Sequence, residues 1–467
     1  MITLESKALG YKKEIIKLIQ EFVRIKSVEE EPKMGMPFGE GPAKALKYIL
    51  DLAEKLGFKT INFNNYIGHI EFGEGSDDDI LGILGHVDVV PEGEGWIYPP
   101  YEGKVIDGKI YGRGVADNKG PIITVLYALK ALKDFGLIPK RKIRFIVGAN
   151  EETDWRCVKY YFEKLKMPQP SIAFVPDAVF PVINYEKGSL HIVLEKEYIS
   201  ETGFSLEGGI AFNSVPERAT CIIHDLKASG VIDRLNEYNR TREYKISIGQ
   251  IENKLQIISY GKASHGSLPQ NGHNAISALF EFLSILDIED KNISDLVKFF
   301  RTNIGMGYFG ERLGLNFDDG MGKLTLNVGK AVINPKEGIK LELDIRYPAG
   351  IKKDKVVEKI AKVAKKNNLK VRVHSDKRAL YVPEDNFLVK KLMMVYRKVT
   401  GDIEGGPLAI GGATYAKVLT NGVAFGPGLK GKQSNAHQAN ECIELASIDI
   451  WLKIYTAAIY ELSQDVG

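Results

Sequence analysis

The sequence predicts an α/β protein: a discontinuous α/β domain with a mostly parallel sheet, interrupted by an inserted α+β lid domain. Three observations carry this. In the first third, short unbroken apolar runs alternate with helical patterns; from about residue 185, segments of alternating polarity replace them; near residue 384 the first texture returns. Strands buried on both faces read as continuous apolar runs, whereas antiparallel strands with one wet face alternate.

Residues 80–84 (ILGIL), 142–148 (KIRFIVG) and 171–176 (SIAFVP) read as buried strands. Between the first two, Ile122, Val125, Leu126, Leu129 and Leu132 share one helical face, and Gly136 is placed to end that helix. Buried strands separated by helices imply parallel pairing. In the middle, LHIVLEKEY, KLQIISYG, KLTLNVGK and IKLELDIRY predict half-exposed antiparallel strands, with helices near 274–286 and 353–367. A helix near 387–400, the apolar run from Val423 to Phe425 and a long helix from about 446 then restore the α/β pattern. The expected organisation is residues 1–184 and 385–467 for the catalytic domain and 185–384 for the insertion.

A chain of 467 residues is too long for one ordinary core. Its 44 % apolar and 26 % charged residues are those of a soluble globular protein. A net charge of +3, without a basic run interleaved by aromatics, argues against a nucleic-acid partner. The opening MITLESKALGYKKEIIKLIQEF is amphipathic and lacks the apolar core and cleavage site of a signal peptide. With no apolar stretch approaching the ~20 residues that span a bilayer, a cytoplasmic location without membrane contact is expected. Cys157, Cys221 and Cys442 are odd in number and unclustered, which argues against a disulfide scaffold or a thiolate zinc site.

Several of the predicted strands end in metal-type ligands. ILGIL runs into His86 and Asp88, KIRFIVGAN into Glu151 and Glu152, and SIAFVP into Asp177. In open parallel sheets, ligands bind beyond the carboxyl ends of the strands. YGRGVADNKGP places Asp117 in a glycine-rich turn before the amphipathic helix, where Asp117 and Asn118 could equally cap that helix. Each feature alone has a structural explanation; the joint pattern does not, because several carboxylates buried together repel one another unless cations sit among them. Histidines and carboxylates without cysteine suit Zn²⁺ or Mn²⁺, with Co²⁺ a further candidate. Two such ions ~3.5–4 Å apart, bridged by a carboxylate and a water, generate hydroxide near neutral pH. The adjacent glutamates allow one to bind metal and the other to take a proton.

The elements GHVDVVPEGEGW, YGRGVADNKGP, ANEETDWRC, FVPDA, YGKASHGSLPQNGHNA, IGGATYAK and SNAHQANE, in this order, resemble the PepV-type dipeptidases of the co-catalytic metallopeptidase and deacylase family, relatives of carnosinases and succinyl-diaminopimelate desuccinylases. The resemblance implies that His86, Asp117 and Asp177 hold one metal and His437, Asp117 and Glu152 the other, so that Asp117 bridges. It implies a second-rank role for Asp88 in orienting His86, Glu151 as general base, and a cis peptide after Asp117. It makes His265 an oxyanion stabiliser, where the residues alone read as a surface-loop histidine. Asn213, Arg346, Gly411, Gly412 and Thr414 match substrate-holding positions. An arginine such as Arg346 is suited to gripping a free carboxylate with two parallel hydrogen bonds. His69, His191, His224, His273 and His374 match no ligand position.

The activity implied is hydrolysis of dipeptides with a free C-terminal carboxylate, by a metal-bridged hydroxide with Glu151 as base. An N-acyl amino acid deacylase or a tripeptide aminopeptidase on the same site is the alternative. A non-catalytic metal-binding protein is disfavoured, because every expected ligand and the base are present. The length of the insertion and the EETDWRC element favour the dipeptidase. A monomer is expected, a dimer being the alternative.

Overall fold

Strands Ile80–His86, Lys142–Gly148 and Ile172–Val175 lie side by side and parallel, and almost every residue in them is buried. The computed structural model describes residues 3–199, 203–224, 228–251, 254–432 and 434–464. These divide into a first unit, Met1–Asn184 with Tyr381–Leu408 and Thr414–Gly467, and a second, Tyr185–Leu380 with Ala409–Ala413.

Of the nine strands of the first sheet, the six that lie wholly in the first unit are ordered Lys59–Phe63, Ile67–Phe72, Lys142–Gly148, Ile80–His86, Ile172–Val175 and Gly422–Ala424. The last strand extends the parallel centre, while the first two form an antiparallel margin. Helix Lys119–Asp134 packs on Ile80–His86 and against the long helix Leu445–Gln464. The five apolar residues of its predicted face are all at most 1 % exposed. Tyr127, Ala128 and Ala131 on other faces are equally buried, because helices on both sides enclose it. Beyond its end, Gly136 takes φ +82°, a left-handed conformation natural to glycine.

This helix approaches the sheet closely at one glycine. A Cβ on Gly85 would lie 2.4 Å from Ile122 Cγ2 and 2.9 Å from Asn118 Oδ1. Gly85→Ala is therefore expected to destabilise the protein by about 1–3 kcal/mol through overpacking; urea unfolding would read this as a lower midpoint at unchanged slope.

The second unit is an eight-stranded sheet in the order Ile246–Ile251, Lys254–Tyr260, Arg218–His224, Ser205–Gly208, Thr325–Asn334, Gly338–Tyr347, Gly188–Lys196 and Lys370–Lys377. Every pairing in it is antiparallel. Leu255 and Ile257 point inward from Lys254–Tyr260, as the alternation predicts. Helices Ala275–Leu283, Lys291–Asn303 and Lys353–Lys366 contribute Leu279, Phe280, Phe300 and Ile360 to its core. The short segment Ala409–Ala413 belongs with this unit: Ile410 O accepts a hydrogen bond from Lys187 N at 3.0 Å.

Among the described residues, no helix is long and apolar enough to cross a membrane. Cys157, Cys221 and Cys442 are buried free thiols.

Candidate metal centre

The strands of the first unit deliver their polar ends to one place. His86 closes strand Ile80–His86; Glu151 and Glu152 lie three and four residues beyond Lys142–Gly148, and Asp177 two beyond Ile172–Val175. Asp117 stands just before helix Lys119–Asp134, and the Asp117–Asn118 peptide is cis. His437 enters from an irregular segment in which Asn435, His437 and Asn440 all have positive φ.

Two groups of three donors result, His86 with Asp117 and Asp177, and Asp117 with Glu152 and His437, the donor atoms of each lying within 4.8 Å of one another. Asp117 is common to both and divides its oxygens between them. Oδ1 lies 3.0 Å from His86 Nε2, and Oδ2 lies 2.9 Å from His437 Nε2. Asp177 Oδ2 is 3.6 Å from His86 Nε2, and Glu152 Oε1 is 3.0 Å from His437 Nε2.

The donor set fits divalent cations. Burial, followed by repulsion from Asp117, pushes both Asp177 and Glu152 up to about 7. Desolvation works against charge on His437, yet hydrogen bonds to Asp117 and Glu152 raise it to about 12. Three carboxylates crowded together are stable as anions only with cations among them. Mixed imidazole and carboxylate donors match the chemistry of borderline divalent metals.

Asp88 is 2 % exposed and does two things at once. Its carbonyl oxygen lies 3.0 Å from His86 Nδ1, and Oδ1 lies 3.4 Å from the same nitrogen, which leaves Nε2 to face the metal site. Its carboxylate also accepts the backbone N–H of Glu151 at 2.9 Å and of Glu152 at 3.0 Å. The residue that orients a histidine thus also fixes, through its carboxylate, the turn bearing both glutamates.

A further carboxylate supports Asp117 from behind, and the sequence reading missed it. Glu441 is 0 % exposed. It accepts N–H groups from Gly114, Ala116 and Asp117 at 3.1, 2.9 and 3.2 Å, and pairs with the buried Arg113 at 2.7 Å. Its place at the end of SNAHQANE was the available signal. Asn118 Nδ2 reaches Asp177 Oδ1 at 3.4 Å and its Oδ1 faces His86 N at 3.4 Å, so the residue after Asp117 ties Asp177 and His86 together rather than capping with its side chain.

The remaining predicted residues fall in two places. Thr414 belongs to the first unit, where its hydroxyl accepts Ala416 N at 3.1 Å and starts the turn carrying the buried Tyr415. Asn213, His265, Arg346, Gly411 and Gly412 belong to the second. There Gly266 N donates to Asn213 O at 2.7 Å, and Arg346 Nη1 donates to Gly411 O at 3.3 Å. A Cβ on Gly411 would lie 2.9 Å from Ser267 Cβ. His265 is exposed, and its Nδ1 accepts the backbone N–H of Ser267 at 3.2 Å. That assignment places the ring proton on Nε2 in the neutral imidazole. The side chain of His224 lies outside the described residues.

The model of Peptidase family M20/M25/M40 matches residues 82–461. The chain is 36 % identical over 469 residues to "Putative dipeptidase YtjP" of Bacillus subtilis, covering 98 % of this chain and 99 % of that one. It is 34 % identical to the similarly named SH1171 of Staphylococcus haemolyticus, at 98 % and 99 % coverage. Human carnosine dipeptidase 1 shares the fold at a TM-score of 0.58 and 14 % identity, over 98 % of this chain and 99 % of that one. The dipeptidase Dug1p of Saccharomyces cerevisiae does so at 0.59 and 13 %, over 99 % and 98 %. The expected α/β class with an inserted domain is the architecture of these neighbours. The chain belongs to the M20/M25/M40 peptidase family and is a metallopeptidase, a hydrolase of peptide bonds.

Proposed function

We propose that this metallopeptidase is a dipeptidase acting on short peptides with a free C-terminal carboxylate. The observation that carries the reading is the pair of donor groups sharing Asp117, with Glu151 beside the ligand Glu152 but outside both groups. The curated relatives, matched over 98 % of the chain, carry dipeptidase names, which supports the substrate class.

His86, Asp117 and Asp177 would hold one ion and Asp117, Glu152 and His437 the other, zinc or manganese with cobalt a further candidate. Bound there, two divalent ions supply Lewis acidity that polarises the scissile carbonyl and acidifies the attacking water. Glu151 takes the proton from that water and returns it to the departing amine. It is 8 % exposed, and Asp88 holds its backbone, so the carboxylate has little freedom to wander. His265, with its proton on Nε2, donates to the oxyanion of the tetrahedral intermediate. Arg346 binds the substrate carboxylate, while Asn213 and the backbone at Gly411, Gly412 and Thr414 hold the peptide around it.

The test is hydrolysis by chelated and then Mn²⁺- or Zn²⁺-reloaded protein of free dipeptides, the same dipeptides amidated at the C-terminus, tripeptides and N-acyl amino acids. Chelation is expected to abolish turnover and reloading to restore it, with cleavage confined to free dipeptides. Amidation is expected to lower kcat/KM about 10- to 100-fold, the worth of hydrogen bonds to a charged group. Preference for tripeptides or N-acyl amino acids would refute the dipeptidase reading.

A further inference from the structure

The second unit buries a carboxylate to which the reaction above gives no role. Asp344 is 0 % exposed and lies on strand Gly338–Tyr347, two residues before Arg346, so both side chains share one face of the sheet. Its Oδ1 accepts from Arg346 Nε at 2.8 Å and its Oδ2 from Nη2 at 2.9 Å. One edge of the guanidinium is thereby taken.

Other contacts converge on the same carboxylate. His191 Nε2 lies 3.5 Å from Oδ1, and its Nδ1 is 2.9 Å from Ser375 Oγ. The imidazole stacks on Phe212 at 4.7 Å, immediately before Asn213 in sequence. Gly266 closes the other side: a Cβ there would lie 2.6 Å from Asp344 Oδ2 and 2.9 Å from the Asn213 backbone. Asp344 therefore stands behind Arg346 and the residues flanking His265 and Asn213. Desolvation opposes its charge, but Arg346 and His191 hold it down to about 2, so it remains a carboxylate.

A guanidinium has five N–H groups in a rigid fork. With Nε and one Nη2 hydrogen committed to Asp344, and one Nη1 hydrogen to Gly411 O at 3.3 Å, one N–H remains on each Nη for an incoming anion. The Asp344–Arg346 pair is nearly neutral as a unit, so selectivity must come from the direction of those N–H groups rather than from bare charge. We propose that Asp344 is a positioning residue that aims the free end of Arg346 and so sets the preference for a planar carboxylate over a neutral amide at the substrate C-terminus. The inference rests on the dipeptidase reading of Arg346.

The test is a double-mutant cycle of D344N, R346A and D344N/R346A in the metal-loaded full-length enzyme, measured on a free dipeptide and its C-terminal amide. D344N is expected to raise KM for the free dipeptide about tenfold or more while kcat changes less, and to lower the free-to-amide preference by the same factor. In the R346A background D344N is expected to add nothing, because the two act as one unit. Full additivity, or an unchanged KM and preference in D344N alone, would overturn the inference and leave the dipeptidase reading standing. An unchanged preference in R346A would overturn that reading and this inference with it. Should D344N fail to fold, R346K decides: its ammonium keeps the charge but not the fork, so preference is expected to collapse. A wild-type preference in R346K would overturn the proposal.

Discussion

Replacing Glu151 with Gln is expected to lower kcat by about 10²–10⁴-fold while leaving the content of bound metal nearly unchanged. The expectation follows from its position. Glu151 lies outside both donor groups. Its backbone N–H is held by Asp88 at 2.9 Å whatever the side chain carries. The amide of Gln keeps the shape but cannot accept the proton. Glu152→Gln is the contrasting variant: it removes a donor 3.0 Å from His437, so it should lose metal as well as activity. Kinetics with metal analysis of both variants separates base from ligand. Activity within tenfold of wild type in Glu151→Gln would remove it from the base role, and metal loss would make it a ligand.

The second large effect is expected away from the metals. Glu441→Ala should destabilise the protein by about 3–5 kcal/mol, the usual consequence of removing one partner of a buried ion pair. Its side chain and that of Arg113 are each 1 % exposed. The substitution would leave a buried guanidinium without its carboxylate and three backbone N–H groups without their acceptor. One of those belongs to Asp117, so affinity for metal should fall with stability. Glu441→Gln retains an acceptor oxygen and should cost less. Urea unfolding and metal titration measure both effects; a loss under about 1 kcal/mol in Glu441→Ala would show that the network is dispensable.

The parts of this molecule that the sequence made legible are those with a local signal. Unbroken apolar runs announce strands such as Ile80–His86 because both sheet faces are covered, and metal-type residues at or just after their ends announce the clustered donor groups. The antiparallel margin was less visible, since Lys59–Phe63 has a largely wet face and no buried residue. His437 came through family resemblance alone: its segment is irregular, and positive φ at three residues leaves no periodicity to read. The supporting carboxylates were hidden for a different reason. Glu441 serves amides more than 320 residues earlier, and Asp88 serves amides 63 and 64 residues later. No spacing rule encodes such partners. Nor does composition mark Ala409–Ala413, which joins the second unit through a backbone hydrogen bond from Lys187 and a side-chain bond from Arg346.

The order of the donors along the chain has a consequence for how the centre comes into being. His86, Asp117, Glu152 and Asp177 precede the second unit, whereas His437 follows Asp177 by 260 residues (437 − 177). At roughly 5–20 residues per second, a ribosome needs roughly 13–52 s to cover that interval. Throughout it the nascent polypeptide carries one complete donor triplet, His86 with Asp117 and Asp177, and one that lacks its imidazole. Strand Ile172–Val175 meanwhile waits for its parallel neighbour Gly422–Ala424 and presents an open edge. The donor order therefore leaves the second triplet incomplete until the segment carrying His437 has been made, and the Asp117 turn without its Glu441 acceptor until just after that.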